Sequence, residues 1–312
     1  MSVQKITPPS PARPRLALVL GSGGVRSIAA VGIADRLARE GIHPDLIVGC
    51  SSGALFGATI ACGMSSNDAL QAATRLWSPE LTQQRRWRAY LQLIAPKLAG
   101  FTDNFALRDD GLIAQRVHEA FGEVRIEHLP TRLRIAATDA VTGNPAVLSR
   151  GPLVDALRAS MAVPIMFPGV DIDGRRLVDG VLSDPLPISA APDAGVVIAL
   201  GFHGAMPRRV DRLSRLVAQT STTLINNLMQ ARIAAARASG QRVVRVELDL
   251  DRPIGLWDTR AMPYLFEAGQ RAAEAQLSKI LAALESHQSA TMPRPEPVRF
   301  PFAMEACQVA TH

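Results

Sequence analysis

Gly49-Cys50-Ser51-Ser52-Gly53 is a G-x-S-x-G pentapeptide. It stands between a short apolar run, Pro44 to Val48, and a nearly all-apolar segment, Ala54 to Gly63. Read as strand, sharp turn and buried helix, this context exposes a serine hydroxyl at the turn, and the flanking glycines let the chain bend there. The helix that follows aims its free N–H groups at the site, where they stabilise a developing oxyanion. Ser51 is therefore the candidate nucleophile. The non-catalytic reading is a tight turn that needs small residues. Ser52 and Cys50 each lack a glycine two residues ahead, and Cys50 beside a buried strand reads as a small apolar filler.

Gly21-Ser22-Gly23-Gly24-Val25-Arg26 closes a second apolar run, Arg15 to Leu20. A phosphate-binding Walker loop needs Lys followed by Ser or Thr after its last glycine, and this loop has no lysine. A dinucleotide fingerprint needs a third glycine where Arg26 stands, and an acid at the far end of the second strand; Asp45 is at the near end. An oxyanion hole remains. Adjacent parallel strands bring this loop and the Ser51 turn to one sheet edge, so the amides of Gly23 and Gly24 would face the serine.

A serine nucleophile needs a base. Of the six histidines, His43 precedes the second strand and lies at the wrong edge, and His118 and His128 stand in polar contexts. His203, just after an apolar run, is the credible histidine. Asp179, in Leu177-Val-Asp-Gly-Val181, is the other candidate, because an aspartate at a strand end followed by glycine can approach a neighbouring loop. An ordinary Asp-Gly turn is its bland reading. On position alone, both bases stay open.

The elements that must hold these residues follow from the pattern. Strands are expected at 15–20, 44–48, 133–138 and 196–202, with a hairpin over 171–178 turning at Gly174. Helices are expected at 27–41, 54–63 and 153–159, the last ending before Pro164. Residues 67–125 read as mostly helical, with Trp77, Trp87, Tyr90 and Leu91 on an amphipathic stretch, and 207–240 and 261–285 as long helices. Strand, helix, strand, helix at the start gives a right-handed βαβ unit and a parallel sheet. Prolines 8, 9, 11 and 14 mark residues 1–14 as a disordered tail, and prolines 293, 295, 297 and 301 mark 286–312 as a loose extension. One domain over 15–285 is the simplest division of the 312 residues.

Composition bounds the rest. Apolar residues make up 47% and charged residues 20%, which excludes a disordered chain. No apolar run reaches the ~20 residues of a membrane span, and the N-terminus does not read as a secretory signal. Three cysteines form no CxxC pair and no disulfide framework, so a cytoplasmic setting is expected. No cluster of His, Cys and carboxylates suggests a metal site, and no cofactor is expected. The net charge of +6 comes almost wholly from arginine. With aromatics at only 4%, a nucleic-acid groove is not expected.

Together, the glycine loop 21–26, the elbow 49–53 and Asp179-Gly180 resemble the patatin-like phospholipase family. The stretches Ala137-Thr-Asp-Ala-Val-Thr-Gly143 and Arg158-Ala-Ser-Met-Ala-Val-Pro-Ile-Met-Phe-Pro168 resemble its bacterial branch related to neuropathy target esterase. The resemblance runs from about Arg15 to Phe202. It implies an α/β fold, a three-layer αβα sandwich with a mainly parallel central sheet. It also implies a lipid acyl hydrolase with a Ser-Asp dyad and no histidine: Ser51 as nucleophile, Asp179 as base, Gly23 and Gly24 as oxyanion donors, and Arg26 supporting their loop. This decides for Asp179 over His203. The sequence departs from the family at Ser27, Val181 and Ala162, where glycine, glycine or alanine, and serine are common. A free aspartate, with pKa ~3.9, is a poor base for a hydroxyl, so a desolvated site must raise it. The same residues would serve acyl transfer to an alcohol, and a silent lipid-binding module of the same fold is the non-enzymatic alternative. The expected partners are a lipid or small ester, and an anionic membrane surface is a further one. Two clusters suit such a surface: Arg208, Arg209, Arg212 and Arg215 beside Val210, Leu213, Leu216 and Val217, and Arg85, Arg86 and Arg88 beside Trp87. A solvated basic helix covering the core is the bland reading of the first cluster.

Overall fold

The computed structural model describes residues 15–291 apart from 96, 97, 99, 205, 207 and 208. The tail expected at 1–14, most of the extension expected at 286–312, and Arg208 lie outside the described residues.

Five strands form a parallel core: β1 (Leu16–Leu20), β2 (Leu46–Cys50), β3 (Arg132–Asp139), β7 (Val196–Leu200) and β8 (Arg242–Val246). Three more complete an eight-stranded mixed sheet: β4 (Pro145–Leu148), β5 (Val170–Ile172) and β6 (Arg175–Asp179). All of their pairings are antiparallel, and they gather beside β3. The order along the sheet is β5-β6-β3-β2-β1-β7-β8, with β4 paired to β3 off that path. β1, β2 and β7 are buried at every residue, which is why they read as continuous apolar runs and not as alternating ones.

The period of two in these strands separates the two faces. Leu16, Leu18 and Leu20 pack with α1 (Ala29–Ala38), α2 (Ser52–Ala61), α6 (Leu153–Met161) and α8 (Met262–Thr291). Ala17 and Val19 point the other way, onto the 186–194 segment and Met229, Ile233 and Ala236 of α7 (Leu213–Ala238). The fold is thus three layers with helices on both faces, one layer thicker than the other. The thick layer is tightest where α1 crosses α8. A Cβ on Gly32 would sit 2.0 Å from the Phe266 carbonyl oxygen, and one on Gly269 would sit 2.1 Å from that of Ala29. Only glycine lets these helices touch backbone to backbone.

Several boundaries differ from the sequence pattern. The helix expected at 27–41 splits into a 3₁₀ turn, Gly24–Ile28, and then α1. The stretch 67–125 holds α3 (Ser66–Leu76), α4 (Trp87–Ile94) and α5 (Gly111–Phe121), but it is broken by loop. α7 begins at Leu213, so Arg209 and Arg212 precede it. α8 runs to Thr291, through the boundary expected at 285. β4 and β8 are additional strands. β4 opens on Pro145 and alternates exposed with buried residues, and β8 holds arginines at 242 and 245 and buries only Val246 fully. Neither shows the apolar run that marks the buried strands. Among the described residues, no helix is long and apolar enough to cross a membrane.

Candidate active site

β1 and β2 are parallel neighbours, so Gly21 and Ser51 emerge at the same sheet edge. Asp179 reaches that level by register. Cys50 pairs with Ala136 across β2 and β3, and Ala137 pairs with Asp179 across β3 and β6. A residue at the end of an antiparallel strand is thereby level with the residue that follows β2.

Ser51 occupies the elbow at φ 55° and ψ −125°, a backbone region that side-chain-bearing residues rarely adopt. Two glycines make the bend possible by close approach. A Cβ on Gly49 would stand 2.4 Å from Ala54 Cα, and one on Gly53 would stand 2.5 Å from the Leu20 carbonyl oxygen. The elbow is tied down on both sides. The Ser51 N–H donates to Ser160 Oγ at 2.8 Å, and Ser160 Oγ donates to the Ala136 carbonyl at 2.6 Å. The Ser51 carbonyl accepts from the amides of Ala54 and Leu55 at the start of α2.

Ser51 Oγ donates to Asp179 Oδ2 at 2.8 Å. Asp179 has no exposed surface, and Ser51 is 6% exposed. The other carboxylate oxygen, Oδ1, accepts the Val181 N–H at 2.8 Å and faces Cys50 Sγ at 3.9 Å. The Asp179 backbone is pinned as well: its N–H donates to the Ala162 carbonyl, and its carbonyl accepts from Thr138 Oγ1. Burial raises the carboxyl pKa from 3.8 to about 7, against the opposing pull of the Val181, Ser51 and Cys50 donors. The same burial, with the nearby carboxylates, pushes the Cys50 thiol well up, so Cys50 holds its proton.

The glycine loop lies against the elbow with one amide already engaged. The Gly23 N–H donates to Ser52 Oγ at 3.1 Å, and Ser52 Oγ is 2.9 Å from Ser27 Oγ, which donates onward to the Gly21 carbonyl at 3.4 Å. Of the two amides expected to face the serine, that of Gly23 is thus turned to Ser52. The Gly24 amide, at φ 60°, has no acceptor among the described residues. Arg26 holds the loop from below: Nε donates to the Gly23 carbonyl and Nη1 to the His203 carbonyl, both at 3.2 Å, and the guanidinium lies over the Phe202 ring.

The His203 ring is engaged elsewhere. Its Nε2 lies 2.9 Å from Gln230 Nε2 and 3.0 Å from Arg245 Nη2. A guanidinium only donates, so Nε2 accepts. Among the described residues, Asp179 is the side chain hydrogen-bonded to Ser51 Oγ.

The three departures from the family pattern have local accounts. Val181 contributes its backbone N–H to the carboxylate, and its side chain packs on Cys50 and Ala136. Ala162 contributes its carbonyl to the Asp179 amide. Ser27 supplies the hydroxyl that anchors Ser52. The sequence did not show Ser160 as an anchor of the elbow, since a partner 109 residues away leaves no local trace, and it gave Ser52 and Ser27 no role in holding the glycine loop. Among the described residues, no three His, Cys, Asp or Glu side chains gather as metal ligands.

Residues 18–192 match the patatin-like phospholipase family. The chain is 35% identical over 219 residues to an uncharacterized NTE family protein of Mycobacterium tuberculosis, covering 67% of this chain and 57% of the relative. It is 31% identical over 174 residues to a neuropathy target esterase of Drosophila persimilis, covering 55% of this chain and 11% of that one. It is similar in structure to VipD from Legionella pneumophila, with a TM-score of 0.45 and 15% identity over 89% of this chain and 68% of VipD. The chain thus spans less than two thirds of the length of either curated relative.

Proposed function

We propose that this chain, which belongs to the patatin-like phospholipase family, is a serine lipid acyl hydrolase working through a Ser51–Asp179 dyad and an acyl-enzyme. The observation that carries this reading is the 2.8 Å hydrogen bond from Ser51 Oγ to a fully buried carboxylate. In water that carboxylate would be too weak a base for an alcohol. A pKa near 7 brings it into the range of a general base at neutral pH.

The steps then follow. Ser51 Oγ attacks the ester carbonyl carbon as its proton passes to Asp179. The carbonyl electron pair moves onto oxygen, and the uncommitted Gly24 amide meets the oxyanion, a donor worth ~3 kcal/mol in related sites. The elbow lies at the N-terminus of α2, whose dipole favours the same charge. When the tetrahedral species collapses, Asp179 returns its proton to the leaving alkoxide, and the alcohol departs. Water repeats the sequence on the acyl-enzyme, with Asp179 again taking the proton and Ser51 leaving as the free hydroxyl. Gly23, donating to Ser52, fixes the loop so that the Gly24 amide is presented to the oxyanion.

Ser52 is then a positioning residue. Ser52→Ala is expected to lower kcat roughly tenfold with little change in KM, on the scale of a partly misplaced oxyanion donor. Ser52→Thr, which keeps the hydroxyl, is expected to recover most of the loss. Steady-state kinetics on a soluble ester checks both.

The test of the reading is hydrolysis of p-nitrophenyl esters from C4 to C16 by the wild type and by His203→Ala. Turnover by both is expected. A dead His203→Ala variant with intact folding would put a histidine in the mechanism. A folded wild type inert towards every chain length would move the protein to a lipid-binding module.

A further inference from the structure

α4 is amphipathic with its apolar side turned outwards. Trp87, Leu91 and Ile94 stand at i, i+4 and i+7 and are 73%, 60% and 81% exposed, while Ala89 is buried against the body of the protein. The Trp87 ring lies 5.9 Å from that of Tyr90. Arg85 and Arg86, just ahead of the helix, are exposed. Ion pairs of this region join Arg116 to Glu80, Arg158 to Asp110 and Arg176 to Asp103. They leave Arg85 and Arg86 unpaired among the described residues.

This helix is tied to the site by a ladder of backbone hydrogen bonds. The Arg86 amide donates to the Leu107 carbonyl, Leu107 to Ile165, and Arg108 to Met166. Residues 165 and 166 follow Ala162, whose carbonyl holds the Asp179 amide. The same loop exposes Val163, Ile165 and Met166. Ile165 sits at φ 70°, a costly conformation for a β-branched residue, and it is spent on a side chain that faces outwards.

We propose that α4, with Arg85, Arg86 and the exposed loop 163–166, docks onto an anionic phospholipid bilayer beside the Ser51–Asp179 edge. An outward row of tryptophan and aliphatic side chains bordered by unpaired arginines fits the boundary between headgroups and acyl chains. A second copy of the chain fits less well, because a two-fold contact would press the same unpaired arginines together. The start of α7 also exposes Leu213, Leu216 and Val217, but Arg212 and Arg215 there are paired with Asp211. The placement next to the site rests on the lipid-hydrolase reading. The docking itself is measured without turnover.

The experiment is vesicle flotation with phosphatidylcholine alone and with a minority of phosphatidylglycerol, at low and physiological salt. The wild type is expected to float with the anionic vesicles and much less with neutral ones. Arg85→Ala/Arg86→Ala is expected to weaken anionic binding by about thirtyfold, and Leu91→Gln/Ile94→Gln by about tenfold or more. Both double variants are expected to keep wild-type hydrolysis of a soluble short-chain ester. Equal binding to both vesicle types, binding unchanged in the α4 variants, or binding lost only in Leu213→Gln/Leu216→Gln would each overturn the proposal. So would an α4-dependent dimer by analytical ultracentrifugation with no vesicle binding. Inactivity of the wild type on the ester with these binding differences intact would count against the hydrolase reading alone.

Discussion

Ser51→Ala is expected to lower ester turnover by a factor on the order of 10⁴ to 10⁶, the range seen when a serine nucleophile is removed from enzymes that act through a base and an oxyanion hole. The fold should tolerate it. Alanine meets the same backbone at φ 55° as serine does, and the ties that hold the elbow, to Ser160, Ala54 and Leu55, use the main chain of residue 51 and not its hydroxyl. What is lost is the attacking oxygen and one of the donors to Asp179. Thermal unfolding within a few degrees of wild type, together with collapsed kcat, is the expected pair of results. Collapsed kcat with a collapsed melting temperature would instead point to a structural serine.

Asp179→Asn is expected to lower kcat/KM by about 10⁴, comparable to neutralising the acid of a catalytic triad. It should also make the protein more stable above neutral pH. The sign follows from the raised pKa. Below about pH 4 the aspartate is protonated both folded and unfolded, and it adds no pH-dependent penalty. Between that pH and about 7 the unfolded chain is ionised while the buried carboxyl still holds its proton, so stability falls as pH rises. Above about 7 the full penalty of burying the charge is present, on the order of 4 kcal/mol. Asparagine never pays it, and it can still accept the Val181 N–H. The melting temperature of Asp179→Asn should therefore exceed that of wild type at pH 8 and approach it at pH 4. Activity shows the mirror image. Wild-type kcat/KM should climb about tenfold per pH unit below about 7 and then level off, as a base that must be ionised requires. Asp184, buried nearby and raised to about 6, titrates in the same region. Disappearance of the acid limb in the residual activity of Asp179→Asn separates the two.

The elbow was legible because its chemistry is local. A turn of that sharpness demands small residues at 49 and 53, and a helix apolar on every side, 54–63, has to be buried behind it. Asp179 was legible only as one of two bases. Its choice over His203 needed either the family resemblance or the β3–β6 register, and pairings between distant strands are not written in a pentapeptide. The serine relay through Ser27 and Ser52, and the anchor at Ser160, could not be read at all. Each hydroxyl finds its partner only after the sheet has formed. Among the elements, continuous apolar runs such as β1 and β7 were plain. β8 was not, because its two arginines interrupt the continuous apolar run that marks the buried strands. At the start of α7 the residues from 209 to 212 continue the helical spacing, yet they lie ahead of the first helical turn at Leu213.

The most direct test is covalent. A fluorophosphonate reacts with an activated serine by losing fluoride, and it leaves a phosphonyl adduct whose mass can be located by peptide mapping. The expected result is one adduct per chain on Ser51, absent from Ser51→Ala, with its rate of formation falling below about pH 7 as Asp179 gains its proton. An adduct on Ser52 or another serine, or no adduct on a folded chain that still hydrolyses esters, would contradict a Ser51 nucleophile activated by Asp179.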